Sequence, residues 1–143
     1  MVNHVIADPL AVANELRPVL LRLARELRGE TEQLGVTSRQ VTLLWLIRGN
    51  PGMSLRELAA EERISAPALS GHVDRLEKAG LLERARDEDD RRRVGLTLTE
   101  DGVRLLKRVR ARRTTWLAER LRGLDEREIA AIDDAIEPLG KLL

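Results

Sequence analysis

Cysteine is missing from this chain of 143 residues, and its absence excludes disulfides, cysteine-ligated zinc and thiol redox sensing together. Any switch must work by other chemistry. Phenylalanine and tyrosine are missing too, which leaves Trp45 and Trp116 and a core built from Leu, Val, Ile and Ala. Aromatic platforms for stacking single-stranded bases are not expected. No apolar run approaches the ~18 residues of a spanning helix, and the start MVNHVIADPLAV lacks the basic region of a signal peptide; a cytoplasmic protein without a membrane partner is expected. Neither sign of charge dominates, because 25 basic residues face 24 acidic ones. A role with nucleic acid must therefore come from where the charges sit rather than from their sum. There is no GxGxxG, GxxxxGK[ST] or GxSxG element and no nucleophile, base and orienting group at a known spacing. The expectation is a protein that is not an enzyme and carries no cofactor.

Apolar residues make up 43% and charged ones 34%, too hydrophobic for a disordered chain and too highly charged for a membrane protein. The length suits one domain with one core, or a core completed by a partner. Residues 10 to 28 set Ala13, Leu16, Leu20, Ala24 and Leu27 at helical spacing; Pro18 should kink that helix or mark its real start. Thr37 with Gln40, and Ser54 with Glu57, have the capping-box spacing of two further helices. Ser65 opens a fourth, with Pro67 in its first turn, Leu69, Val73 and Leu76 along one face and Gly80 at its end. Two short helices joined by the tight RIS connection make a helix-turn-helix pattern.

After Gly80 the period changes to alternation in LLERAR and RVGLTLT, so the block DEDDRRR between them is a hairpin loop. Thr99 caps a long helix to about Gly123, and Asp125 with Glu128 opens a last one, bent or ended near Pro138. The fold class is mainly α with a small β-hairpin wing: a winged helix-turn-helix flanked by helical arms.

A ribbon tip bearing Arg91, Arg92 and Arg93 suits a DNA minor groove, where phosphates on both sides concentrate negative potential. The neighbouring acids would oppose this unless Asp87 and Asp90 turn back into the loop, accepting backbone N–H bonds or holding one guanidinium. With its apolar face inward, the Ser65 helix presents Ala66, Pro67, Ala68, Ser70, Gly71, His72 and Arg75 outward. Ser65, Ser70 and His72 can donate to bases or phosphates, Ala66, Pro67 and Ala68 allow close approach, and Arg75 suits a phosphate. Thr37, Ser38, Arg39, Ser54 and Arg56, at the starts of neighbouring helices, are further phosphate candidates, although capping explains Thr37 and Ser54 equally well. His4 and His72 are the only histidines and read as a tail residue and an exposed polar residue rather than metal ligands.

Over nearly its whole length, and most strongly from residue 54 to 102, the chain resembles the multiple-antibiotic-resistance regulator (MarR) family. The family's DxxDRR wing and following LTxxG correspond to Asp87, Asp90, Arg91 and Arg92, then Leu98, Thr99 and Gly102. The resemblance implies a regulator of transcription, most often a repressor, that binds a palindromic duplex operator. It implies an orienting role for Asp90 and minor-groove entry for Arg92. It also implies a homodimer built from residues 5 to 28 and 105 to 143, consistent with more Leu, Ile and Val at both ends than a small winged core covers. Two recognition helices would then stand roughly 34–36 Å apart, one DNA turn. The expected division is a dimerisation helix in 1–30, the winged DNA-binding lobe in 31–100 and dimerisation helices in 101–143. Relatives often take small aromatic or amphipathic effectors between arms and lobe, for which Leu16, Leu20, Trp45, Arg48 and Trp116 are the candidate wall here. The rival reading is a winged-helix module for protein assembly, in which the wing arginines would lack purpose.

Overall fold

A computed structural model describes residues 6–143; His4 lies outside the described residues. Helix α1 (Pro9–Gly29) is followed by a 3-10 turn (Glu32–Leu34), α2 (Ser38–Gly49), strand β1 (Met53–Ser54), α3 (Leu55–Glu62), α4 (Ala66–Lys78), β2 (Leu82–Arg86), β3 (Val94–Leu98), α5 (Glu100–Arg122) and α6 (Glu126–Gly140). The caps act where their spacing places them. Thr37 accepts from the Gln40 amide at 3.2 Å while the Gln40 side chain accepts from the Thr37 amide at 3.0 Å. Ser54–Glu57 and Asp125–Glu128 form the same reciprocal pair, each satisfying two amides that an unfinished helix end would leave bare.

Pro18 does not mark a helix start, whereas α6 ends close to Pro138 as expected. Helix α1 starts at Pro9, with the Asp8 carboxylate accepting from Leu10 at 3.3 Å, and runs through Pro18 to Gly29 without a new start there. Pro18 removes one intrahelical bond from the middle of a 21-residue helix, a loss that the remaining bonds and the packing of α1 on α5 outweigh. Pro138 sits in the last turn of α6, which ends two residues later at Gly140.

The wing is also more than a hairpin. Strands β2 and β3 pair antiparallel from Leu82↔Leu98 to Arg86↔Val94, and β1 adds to the other edge of β3 through Met53↔Leu96 and Ser54↔Gly95, giving the order β1-β3-β2. Two residues leading directly into a helix carry no alternation that could announce a strand. The approach depends on Gly95, where a Cβ would meet the Gly52 carbonyl oxygen at 2.9 Å.

The core lies in the middle of the chain. Val41, Leu43, Leu44 and Ile47 of α2, Leu58 of α3, Leu69, Val73 and Leu76 of α4, Leu82 and Leu96 of the sheet, and Leu105, Leu106 and Val109 of α5 are all buried. Gly102 lets α5 enter this core, since a Cβ there would overlap the Leu81 carbonyl oxygen. Beyond Val109, α5 continues for 13 residues, about 20 Å, away from the lobe. Helices α1 and α6 bury no residue of their own. Arg113 ties α1 to α5, its Nε donating to the Leu27 carbonyl at 3.2 Å. Desolvation of that guanidinium, and secondarily Arg28 nearby, lowers its pKa from the ordinary arginine value, although an arginine remains charged there.

Candidate nucleic-acid interface

Helix α4 has an apolar stripe at positions 69, 73 and 76, all at most 1% exposed, which fixes the helix against the lobe and turns its N-terminal turn to solvent. Ser65 caps it, accepting from the Ala68 amide at 3.3 Å. Ser65, Ala66, Pro67, Ala68 and Arg75 are exposed. Ser70, Gly71 and His72, expected to face outward, are half-buried instead. Position 72 lies three residues after Leu69 and four before Leu76, so its side chain sits on the shoulder of the buried stripe; its Nδ1 is enclosed without a hydrogen-bond partner.

At the wing tip the Asp87 amide donates to the Arg93 carbonyl and the Arg93 amide to the Asp90 carbonyl, both at 2.9 Å. The Asp87 carboxylate accepts from the Asp89 amide at 2.9 Å and the Asp90 carboxylate from the Arg92 amide at 3.1 Å. Each acid thus folds back two residues, as Asp does in turns, and neither holds a guanidinium. Arg91 and Arg92 stay exposed, with no ion pair among the described residues. Arg93 behaves differently: its guanidinium meets Glu57 at 2.8 Å, so wing and α3 are pinned together.

That contact assembles part of the candidate set. Arg56, Arg92 and Arg93 line one cleft of about 410 Å³ with Ser54 and Asp90. The oxygens of Thr37 and Ser54 are used as acceptors by their own helices, yet each hydroxyl hydrogen remains able to donate to a phosphate. Ser38 is half-buried, and Arg39 pairs with Glu62 at 3.4 Å. Two of the candidate cations, Arg39 and Arg93, are therefore already matched by carboxylates at opposite ends of α3. Sequence spacing could not reveal this, because the partners lie 23 and 36 residues apart.

The candidate effector wall does not assemble. Trp116 lines an open cleft of about 660 Å³ with Glu30, Leu34, Arg108, Arg112 and Thr115. Trp45 packs on the lobe core beneath Arg48, 5.5 Å from its ring centre. Leu16 and Leu20 are on α1 and do not line that cleft.

Comparison with known proteins agrees with this architecture. The model of the MarR family matches residues 36–94. An HTH-type transcriptional regulator of Mycobacterium bovis is 32% identical over 117 residues, 82% of each chain. A crystal structure of a transcriptional regulator from Pseudomonas aeruginosa is 32% identical and superimposes with a TM-score of 0.78 over 93% of this chain and 94% of that one. The same fold, at 21% identity and a TM-score of 0.73 over 92% and 97%, occurs in the MepR F27L mutant of Staphylococcus aureus bound to an oligodeoxyribonucleotide.

Proposed function

The chain belongs to the MarR family of transcriptional regulators, and from that premise we propose that it acts in the cytoplasm as a homodimeric repressor of a palindromic duplex site. The observation that carries the reading is the wing tip. Asp87 and Asp90 spend their carboxylates on loop amides, and Arg91 and Arg92 extend without an ion pair among the described residues, Arg92 beside the candidate phosphate contacts Ser54 and Arg56. An exposed, unpaired guanidinium at a ribbon tip is suited to a narrow minor groove. The exposed start of α4, from Ser65 to Ala68, supplies a surface without bulky side chains for close approach in the major groove, with Arg75 toward the backbone. In this reading 31–100 is the DNA-binding lobe, and 1–30 with 101–143 form the dimer arms; a dimer covering its site excludes other proteins from that DNA.

The resident carboxylates define what DNA must do. Phosphates would replace Glu57 at Arg93 and Glu62 at Arg39, an exchange of exposed pairs that costs about 0–1 kcal/mol each. The effector reading narrows to the Trp116 cleft, where Arg108 and Arg112 beside an indole suit an aromatic anion. Such a ligand acts only through unequal affinity for two forms of the dimer.

The test is a mobility shift against duplexes selected by the protein from a random library, across a salt series. Binding should weaken steeply as salt rises, and Arg92→Ala should cost about 1–3 kcal/mol. A log–log slope near zero would instead support the protein-assembly module.

A further inference from the structure

The remaining ion pairs of the lobe include one that joins the two proposed DNA-contacting elements to each other. Arg84 lies in the middle of β2, on the same strand face as buried Leu82, and its guanidinium is divided between two acids of α4. One terminal nitrogen meets Asp74 at 2.7 Å and the other meets Glu77 at 3.1 Å. The side chain is 27% exposed, and its Nε is enclosed without a partner. Those two carboxylates are therefore its only polar attachments among the described residues. Asp74 and Glu77 are three residues apart, so they stack on one side of the helix, and a planar fork that meets both fixes the strand in rotation as well as distance.

We propose that Arg84 is a positioning residue for DNA binding: it holds the wing at one separation and angle from α4, so that the recognition helix and the arginine tip reach DNA in one register. The proposal rests on the reading that α4 and the wing bind DNA together. An ordinary surface ion pair would do less, since a single exposed contact leaves the partners free to rotate. The arrangement also has a second consequence, offsetting one of two negative charges on the helix that approaches a polyanion, and the experiment must separate placement from charge.

The probes are the duplex selected by the full-length protein and a scrambled duplex of equal length, compared by mobility shift at fixed salt. Arg84→Gln should weaken binding to the selected duplex about tenfold, with less than about threefold loss on the scrambled one, because misplacement removes register-dependent contacts more than phosphate attraction. A cycle with Arg92→Ala reads placement directly: the loss caused by Arg92→Ala should shrink at least about threefold in the Arg84→Gln background. Arg84→Lys, which keeps the charge without the fork, should remain well below the wild type. The triple change Asp74→Asn, Glu77→Gln, Arg84→Gln removes all three charges and should not restore affinity. Full restoration by the triple change, wild-type binding by Arg84→Lys, or an undiminished Arg92→Ala loss would each overturn the proposal. Should Arg84→Gln fail to fold, the Lys variant carries the cycle in its place. Failure of the wild-type protein itself to select any duplex would remove the DNA-binding reading, and this proposal with it.

Discussion

Leu76 in α4 is 1% exposed, whereas Ile136 in α6, a residue of the same size, is 63% exposed. The contrast runs through the molecule. Every large fully buried side chain lies between Val41 and Val109, while Leu10, Val19, Leu21, Ile132 and Ile136 of the two arm helices remain open. The lobe closes its own core; the arms display apolar faces that one copy of the chain does not cover. Burying a side chain of that size is worth about 1.5–3 kcal/mol, so the several left open on the arms favour burial against a surface outside this one chain.

The strongest way to break the lobe is Gly102→Val, which forces a side chain into the Leu81 carbonyl and should cost more than about 4 kcal/mol; chemical denaturation of the folded fraction checks it. Leu76→Ala should lower stability by about 2–5 kcal/mol through the cavity it leaves. Ile132→Ala in α6 is its counterpart. In an isolated chain it should cost less than about 1 kcal/mol, so a larger loss that grows on dilution would assign that face to a second copy.

Pro18→Ala sharpens the comparison from the arm side. Replacing an interior proline restores an intrahelical bond and should gain up to about 3 kcal/mol in α1. Measured by amide exchange, the gain will spread into the lobe if arm and lobe unfold together and stay within α1 if they do not. The smallest effect belongs to Arg63, which ends α3 in the left-handed conformation at φ 54°. Arg63→Gly relieves that conformation and should raise the denaturation midpoint by about 1 kcal/mol equivalent.

The elements were readable because their signals are local. Thr37 with Gln40, Ser54 with Glu57 and Asp125 with Glu128 each place a helix start within four residues of sequence, and the stripe at Leu69, Val73 and Leu76 orients α4. The wing acids were readable up to a choice of partner: Asp87 and Asp90 do fold back, and of the two partners open to them they take amides and not a guanidinium. Strand β1, the path of α1 through Pro18 and the half-burial of His72 were not readable. Each is decided by what a neighbouring element presents to it.

By itself, the sequence determined the order of helices and strands, the inward face of α4 and the concentration of guanidinium at one hairpin, because caps, periodicity and loop composition act over a few residues. Only the tertiary structure decided which arginines stand free. Arg93 finds Glu57, Arg39 finds Glu62 and Arg84 divides itself between Asp74 and Glu77. Whether such a charge is matched depends on distances set when separate elements pack, and a linear chain does not carry those distances.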